Sequence, residues 1–252
     1  MPRFGLASTA IAVLAAIGIT TAMDANGLSE FSALPLLPLA ALCWRLERLS
    51  RQSMGVVWGR PRDYALACAY PVVVLGALVA IAVTAGAAEF SAADWENAAR
   101  DFALMASATI PVAILTEEGF FRGWLMASLR RRELVDRQVL IWSSIAFALW
   151  HVSAVTLDTG FDLPMTQMPV YLVNASIIGA IWGVMRLKSG SIMVASVSHG
   201  LWNGGAYVLF GYGQKTGVLG ILGTAVFGPE NGLLGLALNL AFLAALVRWQ
   251  RD

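Results

Sequence analysis

Apolar residues in this chain come in long runs separated by short polar interruptions. The runs cover residues 4–22, 31–44, 64–85, 103–130, 138–155, 169–185, 191–210 and 232–249. A helix rises about 1.5 Å per residue and the bilayer hydrocarbon is roughly 30 Å thick, so runs near twenty residues have spanning length. The pattern predicts an all-α fold, a polytopic membrane helical bundle of about eight transmembrane helices. The first run sits behind Arg3 and is long for a signal core. It reads as an uncleaved span, although Thr20-Thr21-Ala22 would pass as a cleavage site. Pro35 and Pro38 soften the second run.

Three segments break this rhythm. Residues 88–101 are rich in Ala, Glu and Asp with Phe90 and Trp95 on one side, and Ser91 is suited to cap a helix start. They predict a short interfacial helix, with a plain exposed connector as the alternative. Residues 156–168 form a loop carrying Asp158, Asp162 and Pro164, and residues 211–229 form a Gly-rich, moderately apolar loop, re-entrant or superficial. No internal repeat is visible.

Composition supports a membrane setting. Hydrophobic residues make up 58% of the chain and charged residues 13%, against about 25% charged in soluble domains. Mean hydropathy is +0.69. The net charge of +1 offers no basic surface to nucleic acid. The two cysteines, Cys43 and Cys68, are too few for a Cys₄ site and read as small apolar fillers.

The placement of charge is more informative than its sum. With the N-terminus inside, one set of loops holds Arg3, Arg45, Arg48, Arg51, Arg60, Arg62, Arg130, Arg131, Arg132, Arg137, Arg186, Lys188, Arg248 and Arg251. The opposite loops carry Arg100 and Lys215 as their only cations, with Asp24, Glu30, Glu89, Asp94, Glu96, Asp101, Asp158, Asp162 and Glu230. This positive-inside asymmetry predicts both termini in the cytoplasm. The excess of Arg over Lys points to a prokaryotic cell (inner or plasma) membrane.

The fourth run holds Glu117, Glu118 and Arg122 among apolar neighbours. Each charged side chain at membrane depth costs roughly 2.5–3.5 kcal/mol on insertion scales, so such groups face a bundle interior and serve chemistry or transport. Measured from the arginine-rich ends of their helices, Glu117 and His151 lie about 20 Å in and His199 about 15 Å in. The only two histidines of the chain thus reach the level of the glutamates. Glu118 and Arg122, spaced i,i+4, are placed to pair, leaving Glu117, turned about 100° away, to face a cavity. Phe147 stands one turn from His151, and Asn203 one turn from His199. Ser191, Ala195, Ser196, Ser198, Gly200, Gly204 and Gly205 keep the seventh helix thin for close packing. Trp124, Trp150 and Trp202 read as wall packing and Asn174 as structural.

Glu117-Glu118-x-x-x-Arg122, Phe147-x-x-x-His151 and His199-x-x-x-Asn203, in this order on separate helices, resemble the CPBP family. This family comprises CAAX prenyl-protein proteases and bacteriocin-processing or self-immunity proteins. The resemblance covers residues 117–203. It implies an intramembrane endopeptidase in which Glu117 and His151 activate a water and His199 and Asn203 stabilise the oxyanion. Glu118 and Arg122 would support them, and Phe147 reads as packing. The resemblance places a catalytic core over 101–210; the span pattern alone adds N-terminal helices and an interfacial segment over 1–100 and a loop and last helix over 211–252. The family has also been read as metalloproteases. Glu117, His151 and His199 would supply a His₂Glu set for zinc, although no HExxH segment is present, so metal-free and zinc-dependent chemistries both stay open. A proton-coupled transporter and a non-catalytic immunity or partner protein are the rival readings. The partners implied are membrane lipid and a peptide or membrane-protein substrate; the sequence gives no oligomeric state.

Overall fold

A computed structural model of the chain describes residues 5–90 and 93–248. Arg3, Phe4, Ser91, Trp249 and Arg251, to which the sequence reading gave roles in topology, span ends or capping, lie outside the described residues. The fold is an all-α membrane bundle. In chain order it comprises α1 (Leu6–Ala25), α2 (Leu36–Glu47), the single turn α3 (Arg51–Met54), α4 (Pro61–Thr84) and α5 (Trp95–Leu115). A π-helical segment (Glu118–Leu125) then leads into α6 (Met126–Arg131). After it come α7 (Asp136–Trp150), α8 (Val152–Thr156), α9 (Met168–Ser189) and α10 (Ile192–Phe210). A two-stranded hairpin, β1 (Gly211–Tyr212) with β2 (Lys215–Thr216), the turn α11 (Thr224–Phe227) and α12 (Leu233–Arg248) close the chain.

Among the described residues, five helical stretches are long and apolar enough to cross a membrane: Leu6–Ala25, Pro61–Thr84, Trp95–Arg131, Asp136–Thr156 and Met168–Ser189. The other expected spans are helical but different. α2 has 12 residues, about 18 Å of helix, because the chain before Leu36 is spent on a 3₁₀ turn at Ser29–Phe31 and on Pro35. α12 has 16 residues. α10 has 19 and carries the polar groups of the site.

One expectation is corrected. The segment 88–101 does not form a separate interfacial helix. Glu89 N–H bonds to the Leu219 carbonyl at 3.0 Å, which fixes residues before the helix to the Gly-rich loop. Asp94 then caps α5, accepting from Asn97 N–H at 3.0 Å. That backbone bond holds the Asp94 carboxyl below its usual range. From Trp95 no breaker intervenes before Pro111, so the polar turns run straight into the fourth span. The fifth span, Asp136–Thr156, stands as expected with His151 inside it, and adds an irregularity. It breaks at His151, which sits in a turn between α7 and α8.

The main hydrophobic core runs from Ala12 to Leu246, with a smaller cluster of Val155, Tyr171 and Ala175 beside it. α10 packs against α5 and α4, while α9 lies against α7 and α12. The small residues of α10 explain its depth. A Cβ on Gly200 would come 2.8 Å from the Ala106 carbonyl oxygen and 2.5 Å from an Ile110 carbon, so glycine permits the α5 backbone to approach. Leu14 and Val72 are 65% and 70% exposed, as suits side chains whose solvent is lipid.

Near the arginine-rich end, Glu47 joins α2 to the segment after the glutamate pair. Its carboxylate accepts from Trp124 Nε1 at 3.0 Å, Ser128 Oγ at 2.8 Å and Arg132 at 3.0 Å, and its carbonyl accepts from Arg131. Glu47 is 5% exposed. Removing one partner of a buried pair leaves the other uncompensated, at a cost of about 3–5 kcal/mol. Glu47→Ala is therefore expected to lower the unfolding midpoint of the detergent-solubilised protein sharply and Glu47→Gln by less, as measured by denaturant titration monitored by circular dichroism.

Candidate active site

The site starts where α5 stops being an ordinary helix. Thr116 leaves helical geometry, and the backbone from Glu118 to Leu125 widens into a π-helix. A Cβ on Gly119 would sit 2.6 Å from the Ile114 carbonyl oxygen, so the widened turn requires glycine there. π-segments inside α-helices recur at functional sites. Here the segment aims two adjacent carboxylates differently. Glu118 is fully buried, whereas the Glu117 side chain keeps 18% of its surface open to a cavity.

Glu118 is the hub of the buried charges. Its Oε1 accepts from an Arg122 guanidinium nitrogen at 3.1 Å and faces His199 Nδ1 at 3.2 Å. Arg122 donates a second bond to the Gly179 carbonyl at 3.2 Å and lies over the Phe147 ring at 4.1 Å and the Trp182 ring at 5.3 Å. Glu118 Oε2 is buried without a hydrogen-bond partner among the described residues.

His151 and His199 are oriented by what their Nδ1 atoms meet. His151 Nδ1 lies 2.8 Å from the Phe147 carbonyl. A carbonyl only accepts, so Nδ1 carries the proton and Nε2 of the neutral ring is an acceptor. Phe147 and Trp150 hold the ring edge-on at 4.5 and 4.7 Å. The break at Trp150–Val152 is what lets this ring turn inward. His199 is 4% exposed, stacked on Trp182 at 4.1 Å, with Nδ1 on Glu118. Its Nε2 lies 4.0 Å from Glu117 Oε2. Asn203, one turn along α10, has no side-chain hydrogen bond among the described residues and lines the same space.

That space is a cavity of about 80 Å³ walled by Glu117, Phe147, His151, Trp182, His199 and Asn203, with further wall from α9 and α10. The structure thus brings Glu117, His151, His199 and Asn203 together around one cavity. It places Glu118 and Arg122 behind them and Phe147 in both roles, as cavity wall and as the surface under Arg122. Trp124, Trp150 and Trp202 pack in the bundle outside the cavity lining, bonded to Glu47, Thr20 and Glu230.

Glu230 is the residue that sequence reasoning missed. It was counted among the acids of an exposed loop, yet its carboxylate lines the cavity and accepts from Trp202 Nε1 at 2.8 Å. Its turn is pinned inside the bundle. Asn174 Nδ2 donates to the Pro229 and Glu230 carbonyls at 2.9 Å each. Asn239 bonds to Asn174 at 3.1 Å, and Tyr70 donates to Asn239 at 2.6 Å. A faint signal existed: Glu230 is the only acid between Asp162 and Asp252, set in Gly-Pro-Glu-Asn-Gly between apolar segments. Tyr171, Trp182 and Tyr207, also in the wall, carried no signal apart from ordinary apolar helix content.

A zinc ion would need three donors such as Glu117, His151 and His199 held together. Among the described residues no three His, Cys, Asp or Glu side chains are grouped to hold a metal. In this arrangement Glu117, His151 and His199 are not grouped closely enough to serve as a ligand set.

Residues 99–205 match the family model described as Type II CAAX prenyl endopeptidase Rce1-like. No curated protein matches the chain. The matched segment contains Glu117, Glu118, Arg122, Phe147, His151, His199 and Asn203, and it ends before Glu230. With long apolar helices around it, this match to an Rce1-like type II CAAX prenyl endopeptidase domain supports a CAAX-type intramembrane protease.

Proposed function

We propose that this protein hydrolyses a peptide bond of a membrane-associated protein or peptide, with Glu117 as general base. The observation that supports this most is the convergence of Glu117, His151, His199 and Asn203 on one cavity of about 80 Å³. A water held between the Glu117 carboxylate and His151 Nε2 attacks the carbonyl carbon of the substrate. Its proton passes to Glu117, and the carbonyl oxygen becomes an oxyanion. His199, protonated on both ring nitrogens with Nδ1–H on Glu118, and the Asn203 amide donate to that oxygen. Collapse breaks the C–N bond, and the proton held by Glu117 goes to the leaving amine. Glu118 fixes the His199 ring, and Arg122 balances the buried carboxylate charge.

The setting suits this chemistry. Positioned acid–base groups contribute about 10²–10⁴-fold. An oxyanion donor in a water-poor site contributes about 10²–10³-fold. We further propose that the arginine-rich ends lie on the cytoplasmic side of a prokaryotic cell membrane, by the positive-inside asymmetry.

The purified protein in detergent, given an internally quenched peptide library, is expected to turn over substrate. Glu117→Gln is expected to lower kcat by about 10³-fold or more, and Asn203→Ala by about 10²-fold with little change in KM. Turnover in Glu117→Gln equal to wild type would remove the proteolytic reading and leave a non-catalytic membrane partner.

A chelator is expected to leave the wild-type rate unchanged, because the catalytic set proposed here contains no metal. Loss of activity on chelation, restored by added zinc, would instead favour a metalloprotease using Glu117, His151 and His199.

Arg122→Leu leaves the Glu118 carboxylate buried beside His199 without its cation. A loss of about 3–5 kcal/mol in stability is expected, read as a lowered unfolding midpoint together with lost turnover. The double variant Arg122→Leu/Glu118→Leu is expected to recover stability but not turnover.

A further inference from the structure

We propose that Glu230 forms a cation-binding subsite beside the catalytic groups, which selects substrates carrying a positively charged residue near the cleaved bond. The inference rests on the proteolytic reading above and adds the substrate class.

Three observations converge on it. The first is charge. Among the described residues the other carboxylates near the site face cations or an imidazole: Glu118 meets Arg122 and His199, and Glu117 stands 4.0 Å from His199. Glu230 has no ion pair among the described residues, and its one side-chain hydrogen bond comes from neutral Trp202. That bond occupies Oε1 and leaves Oε2 open to the cavity. A carboxylate held in a poorly hydrated site with His199 as its nearby partner but no ion pair at contact distance is unfavourable, and a cation delivered by the substrate would offset that deficit.

The second is rigidity. Asn174, Asn239 and Tyr70, all 0% exposed, hold the Pro229–Glu230 turn from two helices and a third. Gly235 completes this seat, since a Cβ there would meet the Pro229 carbonyl oxygen at 2.5 Å. A chain that commits so many buried polar groups to one turn fixes the carboxylate in place, and a fixed carboxylate discriminates between ligand charges better than a mobile one.

The third is position. Glu230 and Tyr207 are shared by the walls of the catalytic cavity and of a second, larger cavity of about 310 Å³. That second cavity is bounded by the 161–164 loop and by the β1–β2 hairpin. A peptide lying in the catalytic cavity and continuing into the larger one would pass Glu230. Aromatic surface accompanies the carboxylate there, from Tyr207 in both walls and from Tyr171 and Phe161 in one each. A carboxylate with aromatic rings is the combination that receives the ammonium of Lys or the guanidinium of Arg together with its methylene stem.

The test uses internally quenched peptides in which Lys, norleucine or Glu is placed in turn at each position flanking the cleaved bond. At one position the wild type is expected to prefer Lys over Glu by about 10-fold or more in kcat/KM, the size of one charge-assisted contact. Glu230→Gln keeps an oxygen acceptor for Trp202 and is expected to bring that ratio near unity, while Glu230→Lys reverses it. The unfolding midpoint of detergent-solubilised Glu230→Gln, read by circular dichroism, is expected to match wild type, which separates lost selectivity from lost folding.

Binding gives an independent readout. In the Glu117→Gln background, fluorescence anisotropy of labelled Lys and Glu peptides is expected to show the same preference and its loss on adding Glu230→Gln. No turnover of any peptide by the wild type would sink the proteolytic reading, while this binding ratio would still test Glu230. An equal Lys-to-Glu ratio in wild type and Glu230→Gln, in turnover or in binding, would overturn the proposal.

Discussion

The structure depends on one acceptor atom. Glu118 Oε1 takes hydrogen bonds from Arg122 on its own helix and from His199 on α10. A lone carboxylate or guanidinium at this depth would be unstable in an apolar bundle. Pairing at i,i+4 removes most of that penalty locally, and the histidine extends it across the helix interface. The same contact therefore permits charge inside the bundle, ties α10 to the segment after α5, and sets which nitrogen of His199 points to the cavity. Phe147 and Trp182 enclose the pair, so that the flat face of the guanidinium meets aromatic surface instead of lipid.

Backbone irregularity does the aiming. A regular α-helix through Glu117 and Glu118 would still separate the two side chains by about 100°. The π-helical widening, with Gly119 admitting the Ile114 carbonyl, lets one carboxylate be sealed while its neighbour stays in contact with the cavity. The break at His151 has a similar effect on the other wall. A ring inside a continuous helix would point where the helix face points; at a helix end it is turned by the Phe147 carbonyl. Close approach of α10 to α5, permitted by Gly200, then closes the distance between the two sides.

Around this centre lies a second polar system that no charge pattern announced. Tyr70, Asn239 and Asn174 form a buried relay from α4 through α12 to α9 and end on the backbone of the Pro229–Glu230 turn. Buried amides of this kind are stable only when fully bonded. Their effect is to bring a loop from outside the matched 99–205 segment into the cavity wall.

The sequence by itself determined the all-α membrane character, the positions of the apolar runs, and the group of residues that meet. Run length and composition suffice for the first two, because a bilayer demands length and satisfied backbone bonds. Ionisable residues isolated in apolar runs suffice for the third, because their cost makes them conspicuous. Only the tertiary structure decided that 95–101 continues into the fourth span, that α2 is short, that the helix breaks at His151, and that Glu230 belongs to the site. The physical reason is common to all four. Helix continuation, π-widening and loop insertion depend on partners distant in the chain, such as the Leu219 carbonyl for Glu89 and Asn174 for Glu230. A pattern of hydrophobic and polar positions records which residues avoid water; it does not record which distant group satisfies each one.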